Sequence, residues 1–247
     1  DSAARQRTAK HANPKFGMLW NISGTTVFRG AWFSTVKRSA LFNQTLEPTQ
    51  VAGFNQFFDD FTETKSERWG VGIDHRFSSF LTGGVEVSQR HLKVPPVEDR
   101  WKESLYRAYL QLTPHSRWAV EVEYSREKFD NSESAGPLDT DTQTIPFSVS
   151  YFSPSGFFAK LRASYLKQKI GLDTGPDSDS ATFLDLNLGY RLPRRLGILE
   201  VQLQNMLDQN YRYQGLQNRS PPERGGVPSF LPFPPSFAVF VRFNLAF

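Results

Sequence analysis

The chain has 247 residues and no Cys, with 29 Lys and Arg against 25 Asp and Glu, for a formal net charge of +4. The lack of Cys excludes a disulfide scaffold and a thiolate metal site, and no run approaches the ~18 uncharged apolar residues of a spanning helix. An aromatic content of 14% beside a mean hydropathy of −0.47 excludes a solvated disordered chain and suits a β-structure with one apolar and one wet face.

Residues 1–15 are polar and carry no apolar signal-peptide core. Period-two segments then begin, over about 15–22, 25–37, 67–77, 80–92 and 101–113. Trp118, Val120, Val122 and Tyr124 alternate with Ala119, Glu121, Glu123 and Ser125; Ile145, Phe147, Val149 and Tyr151 alternate with Pro146, Ser148 and Ser150. Ala159, Leu161, Ala163 and Tyr165 alternate with Lys160, Arg162 and Ser164, and Leu184, Leu186 and Leu188 with Asp185 and Asn187. Leu199, Val201 and Leu203 alternate with Glu200, Gln202 and Gln204, and every odd position from Phe237 to Phe247 is Phe, Val or Leu. Because successive strand side chains face opposite sides, this pattern predicts about eleven strands of about ten residues, the length of a tilted membrane strand.

Short connections (22–24, 78–79, 113–116, 153–156, 193–195) alternate with long ones (38–66, 93–100, 126–143, 168–180, 208–235). Tight turns at one sheet end and long loops at the other are the asymmetry of an outer-membrane barrel. Trp20, Trp32, Trp69, Trp101, Trp118, Tyr151, Tyr165 and Tyr190 lie near predicted strand ends, where aromatic girdles belong. The fold expected is an all-β, antiparallel transmembrane barrel; a soluble β-sandwich, which also alternates, would not require the short-long alternation. The outer-membrane lipid of a Gram-negative-type bacterium is then the surroundings.

A cation facing lipid at mid-depth costs ~2–4 kcal/mol, so alternation assigns the faces. Arg29, Arg68, Arg76, Arg90, Arg107, Glu121, Glu123, Lys160, Arg162, Asp185, Glu200 and Arg242, with Asp74, Glu86 and Arg191, are expected in the lumen. Val201, Leu203, Phe237, Val239, Val241, Phe243, Leu245 and Phe247 are expected against lipid. The aromatics of 38–66 (Phe42, Phe54, Phe57, Phe58, Phe61) and of 208–235 (Tyr211, Tyr213, Phe230) are expected to fold onto the barrel mouth or the membrane boundary.

Catalytic signatures are absent: the four His, at 11, 75, 91 and 115, form no HExxH, and no G-x-S-x-G occurs. His91 with Glu98 or Asp99 is the local candidate for a rim enzyme, and a simple interfacial His is the stronger reading. Asp130, Glu133, Asp139, Asp141, Asp173, Asp177 and Asp179 lack the spacing of a calcium loop and read as solvated loop charge. No enzyme, metal or cofactor is expected. Lys and Arg are dispersed rather than clustered, which argues against a nucleic-acid partner.

The segment Asn205-Met206-Leu207-Asp208-Gln209-Asn210-Tyr211, followed by a final strand to Phe247, resembles the end of a TonB-dependent outer-membrane receptor. Asn13-Pro14-Lys15-Phe16-Gly17, then Thr26–Ala31, resembles an earlier hairpin of that family, and Leu46-Glu47-Pro48 a following segment in which Thr49 stands for the usual Glu. The resemblance implies uptake of a scarce nutrient and a periplasmic energy-coupling partner. Leu46–Asp60 also resembles barrels linked to tetratricopeptide repeats, which implies polymer export instead. Neither a plug nor repeats lie in these residues. If the last strand descends to the periplasm, counting back eleven makes the first descend as well, so further strands, or another chain, are expected upstream of Asp1. Residues 1–14 then read as an extracellular loop or truncated segment, and 15–247 as the C-terminal portion of a larger barrel that does not close on itself.

Overall fold

The computed structural model describes residues 12–37, 49–56, 63–95, 99–131, 139–172, 175–210 and 236–245. Eleven strands form one antiparallel sheet in chain order: β1 (Lys15–Ser23), β2 (Thr26–Val36), β5 (Lys65–Arg76), β6 (Leu81–Val94), β7 (Asp99–His115), β8 (Trp118–Asn131), β9 (Thr140–Phe152), β10 (Phe157–Leu172), β11 (Gly175–Arg191), β12 (Gly197–Gln204) and β13 (Ala238–Leu245). Within the β2–β5 connection, β3 (Thr49–Val51) and β4 (Phe54–Gln56) pair as a separate hairpin. β1 and β13 are the outer strands of the large sheet, with no ladder between them among the described residues. No described helix is long and apolar enough to cross a membrane, which bears only on helices.

The expected number of sheet strands is observed, but several strands are longer than expected. β7 and β11 run 17 residues and β10 runs 16. The predicted long connection at 168–180 is therefore mostly strand, and that at 93–100 is shortened from both ends: Val94 pairs with Asp99, and Leu172 with Gly175. Asp177 and Asp179 lie on β11, and Asp130 and Asp141 on the ends of β8 and β9 that shorten the predicted connection 126–143, whereas Asp139 stays between strands; Glu133 and Asp173 are outside the described residues. Hydropathy stops alternating at these extensions, yet backbone pairing continues, because the ladder is made by N–H and C=O groups and needs no apolar side chain.

Prolines mark two of the ladder's irregularities, and a third, between Asn21 and Ser23, falls beside the β1–β2 turn. The β8–β9 ladder skips from Val122↔Phe147 to Ser125↔Thr144 around Pro146, and the β7–β8 register shifts between Leu112 and His115 around Pro114. A residue without an N–H cannot donate to a ladder.

The register separates two faces. One carries Trp20, Phe28, Ile73, Val85, Ala108, Val122, Phe147, Leu161, Leu186, Val201 and Val241. Its side chains are open, Val85 at 52% and Val241 at 70% exposure. Trp32 and Trp69 pair across β2 and β5 on this face, and the Trp118 and Tyr151 rings lie 4.8 Å apart beside a tight turn. Trp101 departs from the expected girdle. It shares the charged face with Arg107, six positions along the same strand, and is buried with Leu92, Val94 and Phe129, its ring 5.6 Å from that of Phe129.

Candidate functional site

The opposite face gathers the charged residues. Arg29, Arg68, Arg76, Arg90, Arg107, Glu121, Glu123, Lys160, Arg162, Asp185, Glu200 and Arg242 all fall on it by register. Most are paired across strands. Arg29 Nε lies 2.6 Å from Asp74 Oδ2, and its Nη2 lies 3.1 Å from Glu86 Oε2. Tyr109 donates its hydroxyl to Asp74 at 2.6 Å. Arg90 grips Glu103 with two hydrogen bonds, 2.7 and 2.9 Å, and Arg107 meets Glu123 at 2.8 Å. Lys160 lies 4.0 Å from Glu121, which also accepts from the Ser148 hydroxyl, and Arg242 lies 3.8 Å from Glu200.

Other members do different work. Arg76 donates to the Gly24 carbonyl at the β1–β2 turn. The Asp185 carboxylate accepts from the Asn205 N–H, tying the end of β12 to β11. Arg191 lies 5.9 Å over the Phe158 ring. Arg162 pairs in register with Ser148 and Asp185. Cross-strand neighbours on one face lie ~5 Å apart, which is why opposite charges at matched positions meet so readily.

The feature that sequence reading missed is the β3–β4 hairpin, which lies on the charged face. Its turn residues Ala52 and Gly53 both have positive φ, 49° and 87°, the two-residue turn whose twist matches a tight hairpin. Phe54 is 1% exposed. Its ring occupies the space over Gly70 of β5, where an added Cβ would meet it at 2.5 Å. Val51 sits over Gly17 of β1 in the same way, 2.7 Å from a would-be Cβ. The Arg29 guanidinium stacks 5.2 Å from the Phe54 ring centre and donates to the Ala52 carbonyl at 3.4 Å. Arg68 donates to the Asn55 carbonyl and, at 2.9 Å, to the Ser88 hydroxyl. The sheet beneath the hairpin is thus cleared by glycine and gripped by wall arginines.

Between the hairpin and the wall lies a cleft of about 260 Å³, bordered by Asn55, Arg68, Glu86, Arg90, Glu103 and Arg107 together with Leu105 and Phe129. Glu103 and Tyr109, which complete the charge network, are not among the residues singled out in the sequence; period two carries the signal that could have found them, since both are an even number of positions from Arg107. The β3–β4 hairpin gave no such signal, being only three residues a strand.

His91 lies 3.0 Å from the Gln89 amide oxygen, and Asp99 pairs in register with Val94, further along β6 than His91; Glu98 is outside the described residues. His75 meets the Thr26 hydroxyl at 2.8 Å. No cluster of three metal-ligating side chains occurs among the described residues. The aromatics at 42, 57, 58, 61, 211, 213 and 230, and Phe247, also fall outside the described residues.

Comparison with protein-family models, curated proteins and solved structures finds no match to this chain.

Proposed function

We propose that the sheet is part of the wall of an outer-membrane transport barrel, resembling that of a TonB-dependent receptor, with uptake of a scarce nutrient as its role. One observation carries this reading: an eleven-stranded meander with an open apolar face on one side and ion-paired charge on the other. A soluble protein rarely leaves apolar area of that extent in water. In lipid the same face is satisfied, and the charged face lines an aqueous interior.

The dimensions agree. The apolar run from Phe157 to Tyr165 on β10 extends ~26 Å along the strand and, at a tilt of ~40°, covers ~20 Å of depth, close to the ~25 Å band of such barrels. Past it, Lys167 and Lys169 follow on the same face. An unpaired strand edge is not tolerated in lipid, so β1 and β13 take further strands as partners. A periplasmic energy-coupling protein belongs to the same reading. Polymer export by a repeat-linked barrel is the competing role, and uptake assays set against secretion assays separate the two.

The direct test is biochemical. The protein should partition into detergent, give β-type circular dichroism and migrate anomalously unless boiled. A monomer fully soluble without detergent would overturn the reading.

A further inference from the structure

We infer that the β3–β4 hairpin is a pore-restricting element, which sets the size of solute able to pass along the charged face. The inference rests on the barrel reading above and adds a part to it.

The hairpin is seated at several separate points. Val51 lies over Gly17 of β1, Phe54 fills the space over Gly70 of β5, and the carbonyls of Ala52 and Asn55 accept from Arg29 and Arg68. Arg29 is itself held from below by Asp74 and Glu86, which aims its guanidinium at the Phe54 ring and the turn. Gly53 is required where it stands: its φ is positive, and an added Cβ would fall 2.5 Å from Arg29 Nη1. Gly weakens a strand interior, and at 17 and 70 the room a side chain would take is filled by Val51 and Phe54 of the hairpin. The two glycines let a second layer of chain lie directly on the sheet.

That second layer takes up room. A ribbon packed on a sheet stands up to ~10 Å from it, backbone to backbone. Within a barrel, the displacement is directed into the passage. The wall grips the hairpin through backbone carbonyls, so the contact asks for no charge on the hairpin. Gln50 and Asn55, opposite one another in register and exposed, are uncharged amides. The obstruction therefore narrows the path without adding a charge to it.

The test uses the protein together with the further strands that complete its barrel, reconstituted in planar bilayers, with insertion scored separately by heat-modifiable migration. Replacing 49–56 by a short Gly/Ser linker should raise single-channel conductance severalfold and admit larger polyethylene glycols. A second variant, Gly17→Phe, reads the docking itself. An added Cβ at 17 would fall 2.7 Å from Val51 Cγ1, so a ring there leaves no room for the docked hairpin. It should raise conductance and the size limit towards the replaced level. Insertion with unchanged conductance and size limit after either change would overturn the inference and leave the barrel standing. Failure of the unmodified protein to insert would overturn the barrel reading itself.

Discussion

Gly70 and Phe54 share one space: the ring of Phe54 lies where a side chain at Gly70 would begin, 2.5 Å from an added Cβ. The backbone of β5 cannot yield without breaking its ladders to β2 and β6, so the ring must move. Gly70→Ala is expected to lift Phe54 off the sheet and expose the hairpin to protease. Cleavage within 49–56, compared between the folded variant and the unmodified protein, reads this directly. Equal protection would mean that the ring shifts without undocking the hairpin.

Ala52 is a non-glycine residue in the left-handed region, at φ 49°, a conformation costing roughly 1–2 kcal/mol for an L-residue with a Cβ. Ala52→Gly should tighten the docked turn by about 1 kcal/mol, whereas Gly53→Ala should release it through the clash with Arg29. Opposite effects on hydrogen-exchange protection of 49–56 are expected.

The two faces of β12 should respond differently to one new charge. Val201 pairs with Val241 on the apolar face, and Gln202 with Phe240 on the charged face. Val201→Arg should lower assembly by ~2–4 kcal/mol in lipid, whereas Gln202→Arg should be tolerated. The folded, heat-modifiable fraction of each variant is the measurement, and equal fractions would contradict the face assignment.

Two ion pairs differ in burial and should differ in weight. Arg90 and Glu103 are 6% and 19% exposed, whereas Arg126 and Asp141, on the other face beyond Tyr124, are 34% and 24% exposed. Removing the bidentate acceptor of a buried guanidinium costs roughly 2–3 kcal/mol, so Glu103→Gln should lower the denaturant midpoint clearly. Asp141→Asn should cost under about 1 kcal/mol, as half-exposed pairs do.

Period two made the eleven strands of the large sheet and the shared face of their charged residues legible, because alternation is a local property of an extended backbone. Arg29, Arg107 and Glu123 could be assigned to one side with no knowledge of their neighbours. Strand ends were not legible: Lys167–Leu172 and Gly175–Ser180 carry no apolar alternation, and only their backbone pairing makes them strand. Trp101 was misplaced because its type suggested a girdle while its parity put it beside Arg107.

The sequence by itself determined an antiparallel sheet with one apolar and one charged face, since side-chain direction and hydropathy repeat together along each strand. Only the tertiary structure decided which charges meet, that Arg29 serves both Asp74 and Glu86, and that residues 49–56 lie on that face. Those contacts join positions 16 and 34 residues apart in the chain, Phe54 over Gly70 and Val51 over Gly17. They depend on the absence of side chains at two glycines, and a missing atom acquires meaning only when another part of the chain comes to occupy its place.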